Sequence, residues 1–302
     1  MVDFVLVVVA PGQGAQSPGF LTPWLELPGL ADRLGAWSEV VGIDLIAYGT
    51  TAGADEIRDT AVAQPLLVAA ALASAEALGA APDVLAGHSV GEFAAAALAG
   101  VLTAEQALTL VRERAQAMAK AAAVTETGMT AVLGGAEDEV LAAIERHGLT
   151  PANINGSGQI VAGGTTEQLA AFKEDAPARA RLIPLSVAGA FHTHHMAPAV
   201  ESLREAAKNI VPADPRVTLL SNSDGKPVAS GAEFVERLVK QVSSPVRWDA
   251  CSETMAELGV TTMIELLPGG TLTGLARRGL RGVQTVALKT PDDLDAAREL
   301  IK

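Results

Sequence analysis

Ser89 lies in the segment Gly87-His88-Ser89-Val90-Gly91, between a short apolar run and an alanine-rich one. A G-x-S-x-G segment between a buried strand and a helix allows a sharp turn, because its glycines keep side chains away from the serine backbone. The serine hydroxyl then projects at the helix N-terminus, where free N–H groups stabilise negative charge. The alternative is a turn whose serine only caps the helix. The flanking strand and helix patterns favour a nucleophile.

A nucleophilic serine needs a general base, and the histidines are the candidates. The chain has five, at His88, His147, His192, His194 and His195. His88 adjoins Ser89, so its side chain should point elsewhere, and His147 stands at a predicted helix end, a position typical of capping. The other three share one loop and could bind a metal, but no carboxylate or cysteine in the flanking loop completes such a site. We therefore predict that His192 is the base and that no metal is bound.

Several short motifs occur in a fixed order along the chain. They are Pro11-Gly12-Gln13-Gly14, Gly87–Glu92, Arg114, Gly189-Ala190-Phe191-His192 and Leu266–Gly274. In this order and spacing the chain resembles, from end to end, the malonyl-CoA:acyl-carrier-protein transacylases of fatty-acid and polyketide synthesis. The resemblance implies that a malonyl group passes from coenzyme A to the thiol of an acyl carrier protein through an acyl-serine. No cofactor is implied, because the coenzyme A thioester is a substrate.

The same resemblance implies roles for individual residues. Ser89 would be the nucleophile and His192 the general base, while the backbone N–H groups of Gln13 and Val90 would form the oxyanion hole. The main-chain carbonyl of Gln241 would orient the histidine in place of a triad carboxylate.

Two further positions match the family in the substrate cleft. Asn155 matches a residue that lines the cleft between the subdomains, and the pair Phe191-His192 resembles the malonyl-selecting form of its loop. Val90 departs from the commoner leucine, and Ser244–Arg247 varies a motif that often carries glutamine. Neither departure alters the implied chemistry.

Arg114 has a physical argument of its own. Malonyl differs from acetyl by one carboxylate, and a guanidinium offers a carboxylate two parallel donors in a fixed plane. Arg112 and Arg114 are two residues apart on one predicted helix, so they face different ways. A lone arginine here would be expected to pair at the surface with Glu113 or Glu105. The resemblance makes Arg114 the inward-facing residue.

The elements around these residues predict an α/β protein with a mostly parallel sheet, similar to an α/β-hydrolase, and an inserted ferredoxin-like subdomain. We assign 1–124 and 189–302 to the large catalytic subdomain and 125–188 to the small one. In the large part, strands are predicted at Phe4–Val9, Val84–Ala86, Val217–Asn222 and Thr262–Leu267, and Gly269-Gly270-Thr271 opens the last core helix. The small part reads β-α-β-β-α-β, over Met129–Leu133, Glu137–Arg146, Pro151–Asn155, Gln159–Ala162, Thr166–Glu174 and Arg181–Val187.

Composition limits the partners. Of 302 residues 49% are hydrophobic, enough for a large core, and the net charge of -13 disfavours nucleic acid. The single cysteine, Cys251, fits a reducing compartment. No apolar run reaches the roughly 18 residues of a spanning helix, so we expect a cytoplasmic protein, monomeric by default. The cluster Arg277, Arg278 and Arg281 is a candidate docking site for an acidic carrier protein.

Three other functions compete with this reading. A serine esterase or thioesterase of the α/β-hydrolase type shares G-x-S-x-G, but there the histidine usually follows near the C-terminus. Here more than a hundred residues follow His195 without a histidine. A docking module that has lost activity is disfavoured because Ser89, His192 and Arg114 are all present. A transacylase of different acyl specificity stays open.

Overall fold

The protein is described by a computed structural model over residues 4–302. Ten strands lie in this range: β1 (Leu6–Ala10), β2 (Val84–Gly87), β3 (Thr127–Gly134), β4 (Thr150–Gly156), β5 (Gln159–Thr165), β6 (Ala180–Pro184), β7 (Thr218–Leu219), β8 (Val246–Arg247), β9 (Thr262–Glu265) and β10 (Gln284–Ala287). They form two five-stranded sheets, and the fold class predicted from the sequence is confirmed.

Twelve α-helices cover both sheets in the same range. They are α1 (Leu30–Val41), α2 (Leu45–Thr50), α3 (Thr60–Leu78), α4 (Gly91–Leu98), α5 (Ala104–Ala122), α6 (Glu137–Arg146), α7 (Thr166–Glu174), α8 (Ala197–Ala207), α9 (Gly231–Gln241), α10 (Trp248–Glu257), α11 (Thr271–Gly279) and α12 (Asp293–Leu300). By length and composition α3 could cross a membrane, but 78% of its most apolar 18 residues are buried inside the protein. It is a core helix.

The first sheet is parallel throughout, in the order β10-β9-β1-β2-β7. Its central strand β1 is buried on both sides: Leu6 and Val8 pack into one core cluster, and Val7 and Val9 into another on the opposite face. This explains why the strand is continuously apolar rather than alternating. The carboxyl ends of β1 and β2 lie side by side, with Ala10 paired to Gly87.

The second sheet has the order β6-β3-β5-β4-β8 and is antiparallel except where β8 joins β4. Its helices α6 and α7 begin and end where the sequence predicts. A capping box at Thr165 and Gln168 starts α7. Val132, Ile160 and Phe172 belong to a separate core under these helices.

Several predicted boundaries differ from the structure. The strand predicted over Val217–Asn222 pairs with β2 only at Thr218 and Leu219, and Leu220 forms an isolated bridge with Pro227. The strand predicted over Arg181–Val187 stops at Pro184. The chain does not end its core at α11, because β10 and α12 follow. The second sheet also takes β8 from outside 125–188. The first three residues of the predicted range 1–124 lie outside the described residues.

Candidate active site

Ser89 occupies the turn between β2 and α4 with a positive φ of 52°. The turn is possible only because glycines flank it. A Cβ on Gly87 would come within 2.1 Å of the Gly91 carbonyl carbon, and one on Gly91 within 2.2 Å of the Ala10 oxygen. The Ser89 N–H donates to Asn222 Oδ1 at 2.8 Å, which fixes this unusual backbone conformation.

His192 brings its imidazole to the serine from a distant loop. Its Nε2 lies 2.7 Å from Ser89 Oγ, and its Nδ1 lies 2.8 Å from the main-chain oxygen of Gln241. A carbonyl oxygen can only accept, so Nδ1 carries the hydrogen and Nε2 is free to accept the serine proton. Burial, and secondly the Arg114 charge, lower the pKa of His192 to about 3, so the imidazole is neutral at neutral pH.

The other two loop histidines lie elsewhere. The rings of His194 and His195 pack against each other with centroids 4.1 Å apart. Both ring nitrogens of His192 are already engaged by Ser89 and Gln241. The loop therefore separates His192 from its neighbours rather than gathering the three rings around one point.

Arg114 faces inward and Arg112 does not. The Arg114 side chain is 1% exposed, and its Nη2 lies 3.3 Å from Ser89 Oγ. Nη1 donates to Gln64 Oε1 at 2.7 Å and Nη2 to Gln241 Oε1 at 2.8 Å. Its buried Nε has no hydrogen-bond partner among residues 4–302. Arg112 instead pairs with Glu113.

The Arg114 guanidinium is charged, and its side-chain amide partners are neutral. Burial lowers the pKa of Arg114 from its ordinary value, but a guanidinium stays protonated at neutral pH. Its hydrogen-bond acceptors among residues 4–302 are two neutral amides and the Ser89 hydroxyl, none of them an anion. The position beside Ser89 Oγ is therefore suited to an acyl group that carries its own negative charge.

Two backbone amides near Ser89 are available as donors. Among residues 4–302, the N–H groups of Gln13 and Val90 have no hydrogen-bond acceptor. Both residues line the cavity of about 80 Å³ that contains Ser89. This matches the arrangement an oxyanion hole needs, with unpaired donors at the nucleophile.

The same cavity has an apolar wall. Phe191, Met129 and Val187 line it, and its small volume favours a short acyl group. A neighbouring groove of about 340 Å³ shares Gln13, Leu185 and Val187 with it.

Asn155 lies on β4 of the second sheet and contacts the β2–α4 turn of the first. Its side chain lies against His88, with Oδ1 2.9 Å from the His88 Nε2, and does not line the cavity. Asn153, two residues earlier on β4, lines the cavity instead. His88 does point away from the serine hydroxyl as expected.

Three polar residues near the site received no individual role from the sequence: Gln64, Glu92 and Asn222. Gln64 interrupts an apolar stretch of α3 and Glu92 is the one polar side chain of α4, which is the signal that could have found them. Asn222 follows β7 at the carboxyl edge of the parallel sheet, where ligand-binding residues gather in α/β folds.

Two other predicted features lie away from Ser89. Cys251 is fully buried and burial raises its pKa, so it is core filler as expected. Arg277, Arg278 and Arg281 are exposed. Helix α11 runs from the carboxyl end of β9 back to the amino end of β10. The three arginines therefore lie toward the amino ends of the parallel strands, whereas Ser89 follows the carboxyl end of β2.

Comparisons with known proteins extend over both sheets. A family model described as acyl transferase domain matches residues 7–291. The malonyl CoA-acyl carrier protein transacylase of Mycobacterium tuberculosis is 53% identical over 302 residues, covering 98% of this chain and 100% of that protein. The crystal structure of MCAT from Mycobacterium tuberculosis has a TM-score of 0.95 at 52% identity, covering 99% and 100%. A type II PKS acyl-carrier protein in complex with its malonyl-transacylase matches with a TM-score of 0.91 at 31% identity, covering 98% and 99%.

Proposed function

The chain belongs to the acyl transferase family and, within it, to the malonyl-CoA:acyl-carrier-protein transacylases, and we propose from this membership that it moves a malonyl group from coenzyme A to the phosphopantetheine thiol of an acyl carrier protein. The observation that carries the proposal is the pair of groups on Ser89 Oγ. The His192 imidazole lies on it as a base, and the Arg114 guanidinium lies beside it as a partner for a carboxylate. A plain esterase needs the first and not the second.

In the first half-reaction, Ser89 Oγ attacks the thioester carbonyl carbon of malonyl-CoA while its proton moves to His192 Nε2. The Gln241 carbonyl accepts the Nδ1 hydrogen and so stabilises the imidazolium that forms. The free N–H groups of Gln13 and Val90 donate to the oxyanion. When the intermediate collapses, the C–S bond breaks, the sulfur takes the proton from Nε2, and malonyl-Ser89 remains.

The second half-reaction runs the same steps with the carrier thiol as nucleophile. Its proton moves to His192 Nε2, its sulfur attacks the ester carbonyl, and Ser89 Oγ leaves with that proton. The groove that shares Gln13 and Val187 with the site is the proposed path for the thiol-bearing arm, which coenzyme A and the carrier have in common.

Arg114 links acyl selection to the strength of the base. Its positive charge is one of the causes that lower the pKa of His192. A malonyl carboxylate paired with Arg114 cancels part of that field, which raises the basicity of His192 when the charged acyl group is in place. An acetyl group leaves the guanidinium buried and unpaired, which penalises the wrong substrate.

The setting follows from the same membership. We infer fatty-acid or polyketide synthesis, a cytoplasmic location that suits the buried, reduced Cys251, and a monomer. The acidic carrier is expected to dock where its arm can reach the groove. Arg277, Arg278 and Arg281 are exposed cations, but their position away from Ser89 makes them peripheral to that contact.

The test is intact-mass measurement after separate incubation with malonyl-CoA, acetyl-CoA and methylmalonyl-CoA, followed by addition of a carrier protein. We expect a malonyl adduct that maps to Ser89 and moves to the carrier. Ser89→Ala should fold and gain no adduct, whereas Cys251→Ser should load normally. An adduct on another residue would reject the nucleophile. Release of free malonate faster than transfer would favour the esterase alternative.

A further inference from the structure

Glu92, three residues after Ser89, has a buried carboxylate that takes no part in the reaction steps. Glu92 is in the first turn of α4 and is 1% exposed. Its Oε1 accepts the backbone N–H of Asn222 at 2.7 Å, and its Oε2 accepts Nε2 of Gln241. Burying a carboxylate is costly unless its hydrogen bonds are complete. The burial of the Glu92 carboxylate at this position therefore needs a reason beyond packing.

We propose that Glu92 is a positioning residue that fixes the amide of Gln241, and through it the guanidinium of Arg114. An amide has one accepting side and one donating side. The Gln241 Oε1 accepts from Arg114 Nη2 at 2.8 Å because its Nε2 is turned toward Glu92. In the opposite orientation the NH₂ group would meet the guanidinium donor to donor, and Arg114 would lose one of its two amide acceptors.

Glu92 also reaches the nucleophile by a second route. It holds the backbone N–H of Asn222, whose Oδ1 accepts the Ser89 N–H at 2.8 Å. The Gln241 Nε2 in turn donates to the Ser89 carbonyl at 3.0 Å. Glu92 therefore holds both groups that bind the Ser89 backbone: Asn222, which accepts the Ser89 N–H, and Gln241, which donates to the Ser89 carbonyl.

The hydrogen-bond pattern suits an ionised Glu92. Both contacts are N–H donors, which a carboxylate accepts without needing a partner for a proton of its own. Burial raises the pKa of Glu92 to about 8 even though the Asn222 and Gln241 donors and the Arg114 charge lower it. The role of Glu92 as an acceptor on both oxygens follows from the geometry.

The decisive variant is Glu92→Gln, which keeps size but replaces one acceptor with a donor. Whichever way the new amide turns, one donor meets another, and the Gln241 amide or the Asn222 N–H loses its partner. We expect kcat/KM for malonyl loading of Ser89 to fall roughly 10- to 150-fold, mainly through KM, as for a lost hydrogen bond to a charged group. Acetyl loading, which needs no guanidinium, should fall less. Glu92→Asp keeps the charge with a shorter reach and should lie between wild type and Glu92→Gln.

Glu265→Gln is the matched control. Glu265 is equally buried, but it lies at the end of β9, two strands from β2, and its oxygens accept from Gly270, Leu272 and Thr273 at the start of α11. It should lower the melting temperature and leave the malonyl-to-acetyl ratio unchanged. The proposal is overturned if folded Glu92→Gln loses both loadings equally or loses neither. Should that variant not fold, the ratio in Glu92→Asp decides by the same criterion. The inference rests on the proposed function, which malonyl loading of the wild type in this assay tests separately.

Discussion

The parallel sheet and the antiparallel sheet make different contributions to the cavity at Ser89. Among residues 4–302, the side chains that hydrogen-bond to Ser89 Oγ are His192 and Arg114, and both come from the part of the chain that builds and covers the parallel sheet. The antiparallel sheet supplies wall residues, such as Met129 and Asn153, and the support that Asn155 gives to His88.

The means of holding these residues differ as well. Around the parallel sheet the site depends on hydrogen bonds between distant segments, such as Ser89 to Asn222. The antiparallel sheet is held by local pairing and a capping box. The difference indicates that the first region carries the chemistry and that the second shapes the space. Changes in the first should affect rate, and changes in the second should affect stability or acyl fit.

The largest effect that tests this division is expected from His192→Ala. Losing the general base should slow malonyl loading by roughly 10²–10⁴-fold. His194→Ala is the control and should load at nearly the wild-type rate, because its ring does not contact Ser89. Single-turnover kinetics by quenched mass measurement give both rates. A larger loss in His194→Ala would mean that the loop has been misassigned.

The pH dependence of loading offers a second measurement on the same residue. The base acts when it is neutral, and its pKa is lowered to about 3, so activity should persist as the pH falls through the usual histidine range. We expect nearly constant loading between about pH 5.5 and pH 7.5, where a histidine of ordinary pKa would lose most of its neutral form. A midpoint near 6.5 in the free enzyme would contradict the buried state of the imidazole.

The next largest effect is expected from Arg114→Ala. Removing one partner of a buried charge pair costs about 2–5 kcal/mol, equivalent to about 30- to 4,000-fold in malonyl loading. Acetyl loading should rise relative to malonyl, because no unpaired guanidinium faces it. Arg112→Ala, two residues away and paired with Glu113, should change neither. Lysine at position 114 should rescue only in part, since a point charge lacks the two-pronged geometry. An equal fall for both acyl groups would make Arg114 structural.

A smaller effect of a different kind is expected in the antiparallel sheet. Asn155→Ala leaves the His88 ring without its partner and should lower the free energy of unfolding by about 1–3 kcal/mol, with less than tenfold loss of kcat/KM. Asn153→Ala, on the cavity wall, should change KM more than it changes stability. A hundredfold loss of rate in a stable Asn155→Ala would show that this sheet takes part in the chemistry.

The smallest effect is expected from charge reversal at Arg277, Arg278 and Arg281. These exposed side chains act only on encounter, and salt screens them. We expect at most a few-fold rise in KM for the carrier at low salt, and unchanged loading from malonyl-CoA. A large rise would place the carrier near α11. Unchanged carrier kinetics at low salt would remove the cluster from the docking surface.

Local signals account for what the sequence predicted. The bounds of α6 and α7 follow from amphipathic patterns, with a capping box at Thr165. The strand-turn-helix around Ser89 follows from its glycines. The paired part of β7 and all of β8 are two residues long, too short for any periodicity.

The side of the sheet to which a side chain of β4 points was harder to predict than the position of the strand itself. Alternation along a regular β4 would put Asn153 and Asn155, two residues apart, on the same face, but the pairing of β4 with β5 shifts register between Pro151 and Asn153 and again between Ile154 and Gly156. The partners of Arg114 were out of reach for another reason. Gln64 is 50 residues away and Gln241 is 127 residues away, so only the folded chain brings them together.

The positive φ values of Ser89 and His192, 52° and 60°, have a consequence for engineering this protein. Holding a non-glycine residue there costs of order 1–3 kcal/mol, which the surrounding contacts must offset. Glycine would relieve that cost at either position and would also remove the reactive group. A selection for heat resistance alone would therefore favour inactive sequences at these two sites. Directed evolution of a thermostable variant needs a simultaneous screen for turnover, because stability and activity favour opposite residues there.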